Sequence, residues 1–196
     1  MNILVSAIGQ GLLWATLGIG LFLTFRILDF PDMTVEGTFP LGAATAVTLI
    51  SNGMNPGLAS LIAAGAGALA GLVTGLIYTK GKVPILLAGI LTMTAVYSIN
   101  LRIMGQANRS LLGKGTLFSA DFLDFLPKNF PTVVVGLVII VVVTAATAIF
   151  LQTELGQAFI VTGDNRAMAR SLGVNTDNMT IMGLMISNGL IGLGGA

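Results

Sequence analysis

Nine basic and eight acidic side chains carry all the charge of this 196-residue chain, which has no histidine and no cysteine. The commonest general base and metal ligand are therefore missing. No thiolate nucleophile, disulfide framework or Cys-type zinc site is possible either. Catalysis would have to rest on carboxylates and bases that mostly flank apolar runs, so an enzyme is a poor starting reading. Gly113-Lys114-Gly115-Thr116 hints at a phosphate-binding loop, but the G-x-x-x-x-G-K-[ST] spacing is absent. The scattered Lys and Arg form neither the basic face nor the stripe that nucleic acid requires. What remains are polar groups set inside apolar sequence. Glu36 leads them, because an ionisable group within a span is a functional candidate by default. Together with Thr34 and Thr38 it is expected to line a polar path. The competing role is a place at the headgroup boundary, or a hydrogen bond to a neighbouring helix. Asn100, Ser187 and Asn188 face the same choice, with interhelical hydrogen bonding the commoner use of such residues.

The elements that hold these groups follow from composition. Hydrophobic residues make up 55% of the chain and charged residues 9%, against about 25% charged in a soluble domain. The mean hydropathy of +0.94 agrees. So little charge cannot cover a water-facing surface, whereas lipid accepts apolar side chains outside. Met1 to Phe25 carries no charged side chain, so the N-terminus does not read as a signal peptide. Five or six stretches reach the roughly 20 apolar residues a membrane helix needs. They are about Ile3–Phe25, Gly57–Thr79, Val83–Met104, Thr132–Leu151, and a last one opening near Thr176 and still running at Ala196. Val133–Val143 is rich in β-branched residues, which favour strands in water, but the length of the run requires a helix. The second stretch is irregular. Its clean apolar run, Phe39–Ile50, would span only roughly 18 Å of a ~30 Å hydrocarbon core. Upstream lie Asp29, Pro31, Asp32, Glu36, Gly37 and then Pro40. Either a helix starts at an Asp32 cap with Glu36 in its first turn, or the segment enters broken; both put polar groups in the bundle interior.

Gly67, Gly71 and Gly75 recur every four residues, extended by Ala63 and Ala59. Such a ridge shares one helix face and lets a neighbour approach closely. Two long polar segments, 105–131 and 153–178, are separated by one span and so lie on opposite sides of the membrane. The first holds Arg109, Lys114, Asp121, Asp124 and Lys128, with Phe118, Phe122, Phe125 and Leu126 expected against the membrane surface. By parity Arg26, Lys80, Lys82, Arg166 and Arg170 share one side, and Arg102, Arg109, Lys114 and Lys128 the other. The positive-inside bias favours an outer N-terminus, an outer loop at 105–131 and a cytoplasmic segment at 153–178.

That cytoplasmic segment reads well as local structure. Thr162-Gly163-Asp164-Asn165 is predicted as a turn ending in an N-cap residue, Arg166–Leu172 as a short helix, and Gly173 as its left-handed stop. Asn175 or Thr176 then caps the last span. Met168 and Leu172 share one face of the short helix and Arg166 and Arg170 another. The result is a rigid knob that another protein could grip, or else an amphipathic connector lying at the headgroups.

The run Thr-Gly-Asp-Asn-Arg-Ala-Met-Ala-Arg-Ser-Leu-Gly-Val-Asn (162–175) resembles the cytoplasmic coupling-helix loop of ABC importer permeases. Among these it is most similar to the branched-chain amino acid and ribose-type permeases, and within them to a bacterial subgroup thought to take up aromatic amino acids. Gly11-Leu-Leu-Trp-Ala-Thr-Leu-Gly-Ile-Gly-Leu and Ile27-Leu-Asp-Phe-Pro-Asp-Met-Thr-Val-Glu-Gly-Thr-Phe resemble that subgroup too. The resemblance implies an all-α polytopic bundle of about six spans, forming a single permease domain over residues 1–196. It implies a second permease copy, a homodimer being expected, a cytoplasmic ABC ATPase that binds ATP and Mg, and an extracytoplasmic substrate-binding lipoprotein. The chain itself would need no cofactor or metal. Gly163, Asp164, Asn165, Arg166, Met168, Ala169, Arg170, Leu172 and Gly173 would couple to the ATPase. Thr34, Glu36, Thr38, Asn100, Ser187 and Asn188 would line the translocation path, and Gly67, Gly71 and Gly75 would pack helices. The protein would sit in the bacterial cytoplasmic membrane and carry an amino acid, aromatic or branched-chain. A sugar or nucleoside substrate, an ATP-independent secondary transporter or channel, and a membrane scaffold are the other readings. The permeases of this kind usually carry further spans after the loop, so the chain is expected to be incomplete at its C-terminus.

Overall fold

A computed structural model of the protein describes residues 2–105 and 130–196. The outer-loop expectation for 105–131, with its charges and aromatic anchors, falls almost wholly outside the described residues. The described chain is helical throughout and contains no strand. Helix α1 (Asn2–Leu21) runs into a π-helical turn, π1 (Phe22–Ile27). There follow α2 (Val35–Ser51), α3 (Pro56–Thr79), α4 (Ile85–Met104), α5 (Phe130–Gln152), α6 (Glu154–Asp164), α7 (Arg166–Ser171) and α8 (Thr176–Gly195). The β-branched run of the fifth stretch is a helix, as its length demands.

Among the described residues, four segments are long and apolar enough to cross a membrane: Ile3–Ile27, Pro56–Thr79, Ile85–Met104 and Phe130–Gln152. The remaining two of the six expected spans differ in kind. Helix α2 has 17 residues and α8 has 20, five of them glycine. Both are lined by buried polar side chains, among them Thr38, Thr45, Thr180, Ser187 and Asn188. Helix α8 packs against α1, α2, α3 and α6. A helix surrounded by protein has little need of a greasy exterior, and its polar groups find partners on its neighbours.

The glycine ridge of α3 lies against α8. A methyl group on Gly67 would run into the carbonyl of Asn188, on Gly71 into that of Leu184, and on Gly75 into the backbone of Ile181. The backbones of α3 and α8 therefore approach as closely as small residues allow. Gly42 of α2 meets Gly192 of α8 in the same manner.

At the entry to α2 Glu36 stands in the first turn as expected, but the cap is Thr34 and not Asp32, and the segment before it is non-helical. Residues 28–34 form a non-helical strap and Thr34 is the helix N-cap residue. Asp32 stands before the helix, its Oδ1 accepting the Thr34 backbone N–H at 2.9 Å. Glu36 lies in the first turn and Pro40 inside the helix. The strap begins where π1 ends, with Leu28 N–H reaching Leu23 O at 3.0 Å and Asp29 at φ +52. Leu23, Leu28 and Phe30 are buried with Phe159 and Leu184, and that burial holds the irregular backbone in place.

The C-terminal ends of α1, α3 and α5 and the N-terminal end of α8 gather at one end of the bundle, around α6 and α7. Gly163 abuts Ile27 and Leu28, Gly156 abuts Phe150 and Leu151, and Arg166 reaches Tyr78 and Thr180.

Candidate functional site

Two clusters of functional groups stand out, one enclosed and one exposed. The enclosed cluster begins at Asp32, whose carboxylate is 1% exposed. A buried carboxylate is costly unless hydrogen-bonded, and here both oxygens are engaged. Oδ1 takes the Thr34 N–H, and Oδ2 accepts from Asn188 Nδ2 at 2.7 Å. Asn188 Nδ2 also donates to Leu184 O at 3.0 Å, while its Oδ1 accepts from Thr38 Oγ1 at 2.8 Å. The hydroxyls of Thr34 and Thr74 lie 2.8 Å apart. The amide of one residue on α8 thus bridges the strap and α2, and the threonine pair extends the network to α3. Ser187, beside Asn188, donates to Gly20 O at 2.7 Å and ties α8 to α1.

The sequence-predicted path residues separate into three groups. Thr34, Thr38 and Asn188 come together in this network, and Ser187 adjoins it. Asn100 is buried elsewhere, donating from Nδ2 to Gly37 O at 3.3 Å, and its Oδ1 has no partner among the described residues. Glu36 faces the other way and is exposed on α2, with Met33 and Pro40 on the same side. Asp32 and Thr74 were missed as members of the network. Thr74 was detectable, because it is a polar residue beside the glycine ridge, three positions after Gly71 and one before Gly75. Asp32 was read only as a cap, since nothing local says that its second oxygen reaches a helix more than 150 residues away.

The exposed cluster is α7 and its flanks. Asn165 caps the helix, its Oδ1 accepting Met168 N–H at 3.0 Å. Gly173, at φ +83, ends it, with Val174 N–H reaching Ala169 O at 3.0 Å, the bond of a Schellman stop. Asn175 then caps α8 by accepting Asn178 N–H at 3.1 Å. One expectation is corrected: Thr162, Gly163 and Asp164 are the last turn of α6 and not a free turn. Thr162 is buried and Gly163 is pressed onto the end of π1, so packing extends the helix past residues that would otherwise break it.

The face of the arginines is turned towards the bundle. Arg166 hydrogen-bonds the Tyr78 hydroxyl, lies 5.3 Å from the centre of that ring and reaches Thr180 Oγ1 at 3.5 Å. Arg170 donates from Nε to Thr176 Oγ1 at 2.8 Å and from Nη2 to Asp177 at 3.1 Å. Both therefore turn back to the bundle and fasten α7 to α3 and α8. Ala169 is buried beneath the helix. What faces away is Met168 at 56% exposure and Leu172 at 66%, an apolar pair on a helix closed at both ends.

A family model described as the permease component of branched-chain amino acid transport systems matches residues 3–196. A tyrosine transport system permease protein of Clostridioides difficile (strain R20291) is 39% identical over 196 residues, covering all of this chain and 64% of the relative. The uncharacterized protein RP368 of Rickettsia prowazekii (strain Madrid E) is 36% identical over 195 residues, covering all of this chain and 67% of the relative. The ribose import permease protein RbsC of Escherichia coli (strain K12) is 27% identical over 188 residues, 93% of this chain and 56% of the relative. The chain thus spans between 56% and 67% of the length of these curated relatives. No solved structure matches the chain significantly.

Proposed function

Because the chain belongs to the family of branched-chain amino acid transport system permease components, we propose that it forms the translocation path of an ATP-driven ABC importer. The carried solute is an amino acid, and an aromatic one fits best, since the 39% identical relative is named for tyrosine transport. In this reading α2 and α8 cross the membrane with the four more apolar segments, giving six spans in the single domain. Residues 153–178 face the cytosol. Arg26, Lys80, Lys82, Arg166 and Arg170 gather at the α6–α7 end, and among the described residues Arg102 alone lies towards the other, which is the sense of the positive-inside rule for the bacterial cytoplasmic membrane.

The observation that carries the proposal is the exposed Met168–Leu172 pair on α7. A six-residue helix capped by Asn165, stopped by Gly173 and tied by two arginines to α3 and α8 is suited to move as one body with them. An apolar pair on such a body is suited to a groove on a partner protein. That partner is the ATPase, which binds ATP and Mg; an extracytoplasmic binding protein delivers the solute. Glu36 supports a second permease copy. A carboxylate exposed on a membrane helix is costly against lipid, so this side of α2 faces a watery path completed by another copy. In this reading the Asp32–Asn188–Thr38 network is the joint behind that path. Asn188 links the strap, which Gly163 touches, to α2, which bears Glu36.

Met168→Asp combined with Leu172→Asp tests the proposal. The variant should insert and purify like the wild type, yet lose copurification of the ATPase and solute uptake. Undiminished copurification and uptake would remove α7 as the docking element.

A further inference from the structure

We propose that the cleft between the α3–α4 turn and the inner side of α7 binds the phosphate group of an anionic phospholipid. The cleft has a volume of about 370 Å³ and is lined by Tyr78, Thr79, Lys82, Arg166, Arg170 and Asp177, with Val83 and Pro84 completing the wall. Three cations face one carboxylate there, so the cleft carries net positive charge. Arg166 spends its hydrogen bonds on the neutral Tyr78 and Thr180, and its charge stays uncompensated. Among the described residues only Arg170 has an acidic partner, and that ion pair is half-exposed. Lys82 is exposed and has no partner among the described residues. Its backbone sits at φ +51, a conformation unfavourable for a residue with a side chain. Strain of this sort, held at the rim of a charged cleft, points to a use.

The ligand is an amphiphile because of what adjoins the cleft. Residues 80–84 join two candidate spans and mark the limit of both apolar runs, so the cleft lies at headgroup depth. Leu76, two positions before the lining Tyr78, and Leu86 and Leu87, two and three after the lining Pro84, are exposed, apolar surface on the same two arms that is of use to acyl chains and of none to a soluble anion. Basic pockets at the cytoplasmic ends of membrane helices suit anionic headgroups. The cleft also leaves the proposed ATPase contact free. Arg166 and Arg170 lie two positions from Met168 and Leu172, on nearly the opposite side of α7, so a lipid would brace the helix from behind.

Lipid retention by the purified full-length protein in neutral detergent tests this, with bound phosphatidylglycerol and phosphatidylcholine counted by native mass spectrometry. The wild type should retain phosphatidylglycerol in preference. Lys82→Ala should weaken that retention about fivefold, matching ~1 kcal/mol per basic residue near an anionic surface, and Lys82→Arg should restore it. Equal retention of the two lipids by the wild type, or phosphatidylglycerol binding unmoved by Lys82→Ala, would overturn the proposal. Displacement by inorganic phosphate at the lipid's own concentration would assign the cleft to a soluble anion and overturn the lipid. The measurement involves neither the ATPase nor uptake, so its failure leaves the transport reading standing.

Discussion

The polar network around Asn188 and the knob at α7 are built from the same residue types, Thr, Asn, Asp and glycine, yet they serve opposite ends. Around Asn188 the bonds that set the packing join elements far apart in sequence: strap to α8, α8 to α2, strap to α3. At α7 the caps are local, each asparagine serving an N–H three residues on. Only the arginines reach further, to the part-buried Tyr78, the half-exposed Asp177 and the buried hydroxyls of Thr176 and Thr180. The first arrangement makes a unique packing of helices. The second makes a small rigid body whose outward side is free for something else. Substitutions should therefore harm the two regions in different currencies, stability in the first and coupling in the second.

The largest effect is expected where the helix backbones touch. Gly71→Leu places a side chain where Leu184 O and Asn188 already sit; overpacking of this kind costs about 3 kcal/mol or more. The variant should yield little monodisperse protein in size-exclusion chromatography. Next comes Asn188→Ala, which strands Asp32 Oδ2 and leaves the Thr38 hydroxyl only the carbonyl of Thr34. Leaving buried groups unpaired costs ~1–3 kcal/mol, read as a lowered thermal midpoint in detergent. Thr38→Val in the Asn188→Ala background should then cost far less than alone, because the lost bond is shared. Additive losses would show that the network is not one unit.

Smaller stability effects, with larger functional ones, are expected at the knob and on α2. Glu36→Gln alters an exposed residue and should shift stability by no more than ~0.5 kcal/mol. It should nevertheless reduce uptake; unchanged uptake by an assembled complex would remove Glu36 from the path. Tyr78→Phe removes the hydroxyl that Arg166 engages but keeps the ring against Phe30, 5.2 Å away edge to face. It should slow transport per ATP hydrolysed while ATPase copurification persists. Arg170→Ala breaks an exposed pair with Asp177, whose share of the loss should be at most ~1 kcal/mol and should fade at high salt, leaving the loss from the Thr176 hydrogen bond.

Much of the fold was legible because it rests on local or one-dimensional signals. Run length identified α1, α3, α4 and α5. The ridge at Gly67, Gly71 and Gly75 marked a close helix contact. Asn165, Gly173 and Asn175 marked the ends of α7 and the start of α8. The last turn of α6 was misread because Thr162-Gly163-Asp164 carries turn chemistry, which packing of Gly163 on π1 overrode. The segregation of α2 and α8 from the more apolar spans was also hidden, since enclosure by neighbours is not written into either segment.

The residues by themselves determined that this chain is a helical membrane protein, where its long apolar helices run, and which short segment stands apart as a capped unit. Those features depend on side-chain transfer to lipid and on hydrogen bonds spanning three or four residues. Only the tertiary structure decided that Asp32 points inward and Glu36 outward, that both arginines of α7 turn back on the bundle, and that one amide on α8 links the strap to α2. In water, the contrast between polar and apolar faces reveals which side of a helix is buried. Lipid as solvent erases that contrast, and the direction of each polar group is then set by the partner it finds.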